Sequence, residues 1–281
     1  MRIETATAAG DPDRPNEDFT GVICPGSGRG GVLAVLDGVT PHPDGTGCTH
    51  GLPWYVARLG GVLLELSASR RDMTLSQCLA QAIGRTAAAH RDTCDLSHPN
   101  TPQSTVVAVR WDDEAAEHLV LSDSVLLLES PSGAVRPVLD DRLDRLPEPV
   151  PSLRARLRAL PRDSGQRAAA RREYTAAVEA LRNAEDGFLT AAADPGVADH
   201  AVTGCDPRAA VRAVAALSDG AGRLVDVFGR TDWPGAFALL RTAGCDGLIA
   251  AVRAAEHADP DGTAHPRGKR HDDATAALAE L

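Results

Sequence analysis

The sequence predicts an α+β fold in which antiparallel sheets carry helices on their outer faces, on three observations. Short apolar runs suited to strands are separated by paired stretches of helical periodicity. Consecutive strand runs are joined by hairpin-type turns instead of strict strand-helix-strand alternation. Several of these runs end in a carboxylate, which places charge at the edge of a core where a cation or hydrogen bonds must compensate it.

Taken in order, residues 1–8 predict a short strand, and residues 10–18 a polar loop with two prolines. Residues 19–24 predict a second strand. The following Gly26-Ser27-Gly28-Arg29-Gly30-Gly31 fits G-x-G-x-x-G, but a dinucleotide-binding turn must open a helix and here a strand follows at once, so it reads as a hairpin turn. The run Gly31-Val32-Leu33-Ala34-Val35-Leu36-Asp37-Gly38 is a buried strand with an acidic exit. Residues 39–53 form a loop rich in Gly and Pro that holds His42, Asp44, Cys48 and His50. A zinc site at Cys48-Thr49-His50 is one reading of it, although the spacing is cramped and no second Cys/His pair lies nearby in sequence. A polar surface loop is the other.

Residues 54–68 and 75–90 predict two helices. Residues 104–111, 117–124, 125–129 and 134–138 predict a meander of antiparallel strands. The arginine-rich stretch 152–184 predicts helices whose arginines form a solvated face. After another loop, residues 211–218 predict a strand running into Asp219-Gly220. Two or three helices follow between 224 and 257, and a final strand follows Asp272-Asp273.

The 281 residues are 43% hydrophobic but only 3% aromatic, so the core must be built from Ala, Val and Leu. The formal charge of −10 and the lack of a basic cluster argue against nucleic acid and suit a cation partner. The six cysteines form no CxxC pair and read as reduced thiols of a cytoplasmic protein. No apolar signal region and no membrane-length apolar run stand out. A single domain over residues 1–281, monomeric, is the expectation.

The ordered set Arg14-x-Asn16-Glu17-Asp18, Val35-Leu36-Asp37-Gly38, Gln103-Ser104-Thr105-Val106, Leu121-Ser122-Asp123-Ser124, Leu217-Ser218-Asp219-Gly220 and Asp272-Asp273-Ala274-Thr275 resembles the metal-dependent PP2C-type (PPM) protein phosphatases over nearly the whole chain. The resemblance implies a four-layer α-β-β-α sandwich with a binuclear Mn²⁺ or Mg²⁺ centre between the sheet edges. By that likeness Asp37 is the bridging ligand, Gly38 a carbonyl ligand, and Asp219 and Asp272 the other direct carboxylates. Glu17 and Asp18 are the acidic pair near the metals, Asp123 belongs to a third-metal site, and Arg14 clamps phosphate. Clustered carboxylates and a carbonyl are the hard oxygen donors these cations prefer.

Two positions depart from the family. Val39 stands where many relatives have a histidine proton donor, leaving His42 or His50 as substitutes, and Arg223 stands where a further third-metal aspartate is usual. The expected activity is hydrolysis of phosphoserine or phosphothreonine in proteins by a water activated between two metals. A catalytically silent phosphatase-fold binding module and a phosphatase of small phosphomonoesters are the alternatives. An Asp-Gly pair after a strand is also a common turn.

Overall fold

A computed structural model describes residues 1–40, 45–160 and 164–281. Two five-stranded antiparallel sheets stack face to face with helices outside each, the four-layer sandwich expected. Ten strands make the sheets: β1 (Arg2–Ala8), β2 (Asp18–Ile23), β3 (Gly31–Asp37), β4 (Val106–Trp111), β5 (Ala115–Leu121), β6 (Val125–Glu129), β7 (Val135–Val138), β8 (Val202–Pro207), β9 (Ala213–Leu217) and β10 (Ala274–Glu280). One sheet has the order β1-β10-β9-β6-β7 and the other β2-β3-β4-β5-β8. The helices are α1 (Leu52–Ser69), α2 (Leu75–His90), α3 (Val150–Ala159), α4 (Gly165–Glu179), α5 (Asp219–Asp226) and α6 (Trp233–Ala258).

Uninterrupted apolar runs become strands here because both faces of each sheet are covered. Successive side chains point to opposite faces, so Leu33 and Val35 of β3 enter the core between the sheets while Val32, Ala34 and Leu36 meet α1 and α2. In β10, Ala277 and Ala279 face the other sheet, and Ala276 and Leu278 face α5 and α6. α2 opens on a capping box in which Thr74 accepts the Gln77 N–H and Gln77 accepts the Thr74 N–H. α6 is long and apolar enough to cross a membrane, but Gly244 at φ 76° breaks it, and its apolar side packs on the first sheet.

Two sequence expectations change. The predicted meander is split: β4 and β5 pair in one sheet and β6 and β7 in the other, so the chain changes sheets at Ser122-Asp123-Ser124. Ser122 makes that corner with φ 69°. A strand read as loop, β8, pairs with β5, and its alternation of half-buried and exposed positions with Gly204 and Pro207 is the weak pattern of a sheet edge. The arginine-rich stretch is helical as expected, a pair formed by α3 and α4 whose Tyr174 and Val178 pack with Leu146, Val150 and Phe188 in a small separate core beside the sandwich.

Candidate active site

The carboxylates meet where strand ends of both sheets approach one another. Asp37 closes β3 and lies opposite Asp18 in the β2–β3 ladder. Thr105 fixes the strand exit: its N–H donates to the Asp37 carbonyl at 2.9 Å, its hydroxyl accepts the Asp37 N–H at 3.2 Å, and it meets the Ser124 hydroxyl at 2.6 Å. That last contact ties the end of β3 to the sheet-crossing corner and so brings Asp123 into the cleft. Asp219 starts α5 directly after β9. Ser218 before it accepts the Thr275 N–H at 2.9 Å, locking this turn to β10 and to Asp272.

The glycine after each aspartate serves close approach, not a turn, since neither Gly38 nor Gly220 has positive φ. A Cβ on Gly38 would lie 2.5 Å from the Glu17 carbonyl oxygen, and one on Gly220 would lie 1.9 Å from that of Asp273. Both are impossible contacts, so glycine lets the two aspartate-bearing ends pack against backbone. Asp273, to which the sequence assigned no role of its own, accepts N–H bonds from Gly10 at 2.8 Å and Glu17 at 2.6 Å and so anchors the Glu17-Asp18 segment to β10.

A cavity of about 370 Å³ opens over this floor. Asp37, Gly38, Asp123, Asp219 and Asp272 line it, together with Thr105, Arg182 and Lys269. The electrostatics are those of acids crowded without enough counter-charge. Burial pushes the Asp18 carboxyl up to about 7, with Asp219 and Asp273 adding to it. Burial likewise raises Asp123 to about 6, and raises Asp37 strongly, with Asp18 and Asp219 reinforcing that. Both Asp18 oxygens are buried; the Ser218 and Thr275 hydroxyls are close enough to work against the upward shift, but neither is aligned as a hydrogen bond to them. Orphaned buried carboxylate oxygens beside other carboxylates are a donor set that fits a hard divalent cation.

Asp272 differs. Its Oδ2 accepts from Arg223 at 2.6 Å and its Oδ1 from Lys269 at 2.5 Å, so cationic side chains already hold both oxygens. Arg223 also reaches Glu256 at 2.8 Å. Burial pushes the Glu256 carboxyl up, but Arg253, His271 and Arg223 together outweigh it and hold it below the usual range. Asp226 follows Arg223 by one turn of α5 and lines an adjoining cavity of about 500 Å³ with Asp123 and Asp219. Burial pushes the Asp226 carboxyl up to about 6, with Asp144 and Asp219 adding to it.

Other sequence candidates lie elsewhere. Glu17 is buried beside the cleft, bonded to the Thr40 hydroxyl at 2.9 Å and to Arg14 at 3.3 Å. Arg14 is half exposed in that ion pair and does not line the cavity, so the structure gives it a loop salt bridge. His50 is stacked on Trp54 at 4.2 Å among Cys48, His90 and Cys94, away from the acids. His42 lies outside the described residues.

Arg182 does reach the cavity. Its guanidinium sits 4.7 Å from the Phe188 ring centroid and has no ion pair among the described residues. Burial works against its charge while Asp123 sustains it. Sequence reading assigned this arginine to a solvated helix face. It lies just beyond α4, where the chain turns back over the small core, and no periodicity marks that turn.

No protein-family model and no curated protein matches the sequence. Solved structures do match in fold. A bacterial serine phosphatase superposes with TM-score 0.62 at 13% identity, over 100% of this chain and 98% of that one. The serine/threonine phosphatase Stp1 from Staphylococcus aureus gives TM-score 0.60 at 13% identity, over 99% and 94% of the two chains. The Mycobacterium tuberculosis serine/threonine phosphatase PstP/Ppp gives 0.55 at 15% identity, over 100% and 98%.

Proposed function

We infer that this chain, which has the fold of the PP2C-type serine/threonine phosphatases, is a divalent-metal-dependent phosphomonoester hydrolase acting on phosphoserine or phosphothreonine in proteins. The observation that carries the reading is the convergence of Asp37, Asp123 and Asp219 from separate elements onto one cavity, with Asp18 buried opposite Asp37 and its carboxylate oxygens without aligned donors. Asp37, Asp219 and the Gly38 carbonyl would hold Mn²⁺ or Mg²⁺, with Asp18 beside them and Asp123 and Asp226 available to a further ion. Such ions supply Lewis acidity toward phosphoryl oxygens and lower the pKa of water.

The protein's own side chains bind and orient the phosphate group. Arg182, near Asp123 and Glu179 but in no direct ion pair among the described residues, offers a planar fork suited to two phosphoryl oxygens. Lys269, held by Asp272, adds positive charge to the cavity lining. Val39, Leu143, Val178 and Phe188 form apolar walls that limit water around the reacting group. A second cavity of about 310 Å³ continues from Val39, Thr40 and Arg182 past Leu52 and Gln103, giving room for residues that flank a phosphorylated side chain. The six free thiols suit a reducing, cytoplasmic setting.

One observation favours a second reading. With both Asp272 oxygens held by Arg223 and Lys269, this wall of the site is already neutralised by protein, as in a phosphatase-fold module that binds a phosphorylated partner without turnover. Phosphate release from phosphoserine and phosphothreonine peptides with Mn²⁺, measured beside small phosphate esters, separates the cases. Faster release from peptides supports the proposal, and preference for small esters moves the substrate class. Peptide binding without release from any substrate overturns it in favour of the module.

A further inference from the structure

Four soft ligands converge at the start of α1 and the end of α2, outside the acidic cleft. The sulfurs of Cys48 and Cys94 lie 3.4 Å apart. His50 Nδ1 is 3.3 Å from the Cys94 sulfur and 3.8 Å from that of Cys48, and His90 Nδ1 is 3.6 Å from the Cys48 sulfur. All four ligand atoms lie within 4.8 Å of one another. A tetrahedral zinc with its usual bond lengths would set its ligand sulfurs about 3.8 Å apart and sulfur and nitrogen about 3.5 Å apart. The one sulfur–sulfur and three sulfur–nitrogen spacings match that tetrahedron to within about 0.4 Å.

We propose that Cys48, His50, His90 and Cys94 form a closed structural zinc site. Two thiolates and two imidazoles with all four positions filled are the donor set and geometry of structural zinc, and soft sulfur disfavours the Mg²⁺ or Mn²⁺ suited to the acidic cleft. The surroundings supply the supporting shell that metal-bound thiolates need. The Thr49 N–H donates to the Cys94 sulfur at 3.4 Å, the His50 N–H donates to the Cys48 sulfur at 3.5 Å, and His50 stacks on Trp54. His90 is buried at the last turn of α2, which fixes one corner of the site on a rigid element.

The cramped pair Cys48-x-His50 lacks nearby partners in sequence. In space it meets His90-x-x-x-Cys94, contributed by the end of α2 and the turn that follows. The zinc would staple the loop after Gly38 to the segment after α2, already joined by the Asp95 N–H donating to the Gly47 carbonyl at 2.9 Å. Thr46 lies just before Cys48 and residues 99–103 shortly after Cys94, and both line the 310 Å³ cavity beside the acidic cleft. The zinc therefore holds two walls of the groove that leads to that cleft.

The test uses the full chain, purified under reducing conditions and dialysed against a weak chelator. About one zinc per chain by elemental mass spectrometry is expected. Exchange with Co²⁺ should give the visible absorption of a tetrahedral, thiolate-ligated ion. Cys94→Ser and the Cys48→Ser/Cys94→Ser pair should lose the metal, while Cys205→Ser, at an exposed cysteine on β8, should keep it. Should the serine variants fail to fold, the Co²⁺ spectrum of the unaltered chain decides. A folded chain that takes up neither zinc nor Co²⁺ overturns the proposal, and so does a Cys48–Cys94 disulfide that persists under these reducing conditions. No readout passes through phosphoryl chemistry, so this outcome is independent of the acidic cleft.

Discussion

Arg223 and Asp272 form a buried ion pair at 2.6 Å in which an arginine of α5 grips a carboxylate at the mouth of β10. The pair sits between two buried demands, since the same guanidinium satisfies Glu256, which is fully shielded from solvent. Without Arg223, Asp272 keeps only Lys269 and Glu256 keeps Arg253 and His271, so each loses one charged hydrogen bond in a buried site. Arg223→Gln should therefore cost about 3 kcal/mol of stability, read from urea unfolding in chelator. Freed of Arg223, Asp272 should also bind cations better, so the same variant should titrate with Mn²⁺ at lower concentration. A variant as stable as the original chain, with unchanged Mn²⁺ affinity, contradicts this role.

The crowded carboxylates set a pH dependence. Asp18 is held up to about 7 and Asp123 to about 6 in the metal-free protein. In an unfolded chain both titrate near about 4. The folded state thus binds more protons between those values. The stability these groups contribute is full below about pH 4, declines as pH rises through the folded values, and is gone above them. In chelator the melting temperature should fall from about pH 5 to about pH 8, and Asp18→Asn should flatten the fall. Saturating Mn²⁺ should restore more stability at the higher pH, because it binds the ionised acids. A decline that Asp18→Asn leaves unchanged contradicts this reading.

Arg182 is the strongest candidate for a phosphate ligand supplied by the chain itself. Arg182→Ala should lower kcat/KM for phosphopeptides by about 10- to 100-fold, and Arg182→Lys should recover only part, since a point charge cannot reproduce the fork. Arg14→Ala, at a half-exposed loop pair, should change kcat/KM by less than about threefold. Equal effects of the two alanine variants would contradict the placement.

Much of this was legible in the residues. The apolar run ending at Asp37 reads as a buried strand because both of its faces are covered, and the carboxylates at Asp123, Asp219 and Asp272 mark chain ends that the fold gathers at one edge. What escaped depends on contacts between distant segments. Val125 and Leu121 sit on either side of one short corner, and nothing local says that the chain changes sheets there. Arg182 looks like its solvated neighbours until Phe188 folds back beneath it. Cys48 and His50 lacked partners because His90 and Cys94 come from the far end of α2. The edge strand β8 gave only a weak alternation because one of its sides meets solvent.

On the proposed function, the cleft of Asp37 and Asp219 hydrolyses phosphoesters only when loaded with a divalent metal. Phosphate release from a phosphothreonine peptide, followed across a Mn²⁺ titration for the unaltered chain and for Asp219→Asn, tests it most directly. A saturable rise with Mn²⁺ is expected in the unaltered chain, with a loss of at least about 100-fold in the variant. Release that ignores Mn²⁺, or that survives Asp219→Asn undiminished, would contradict it.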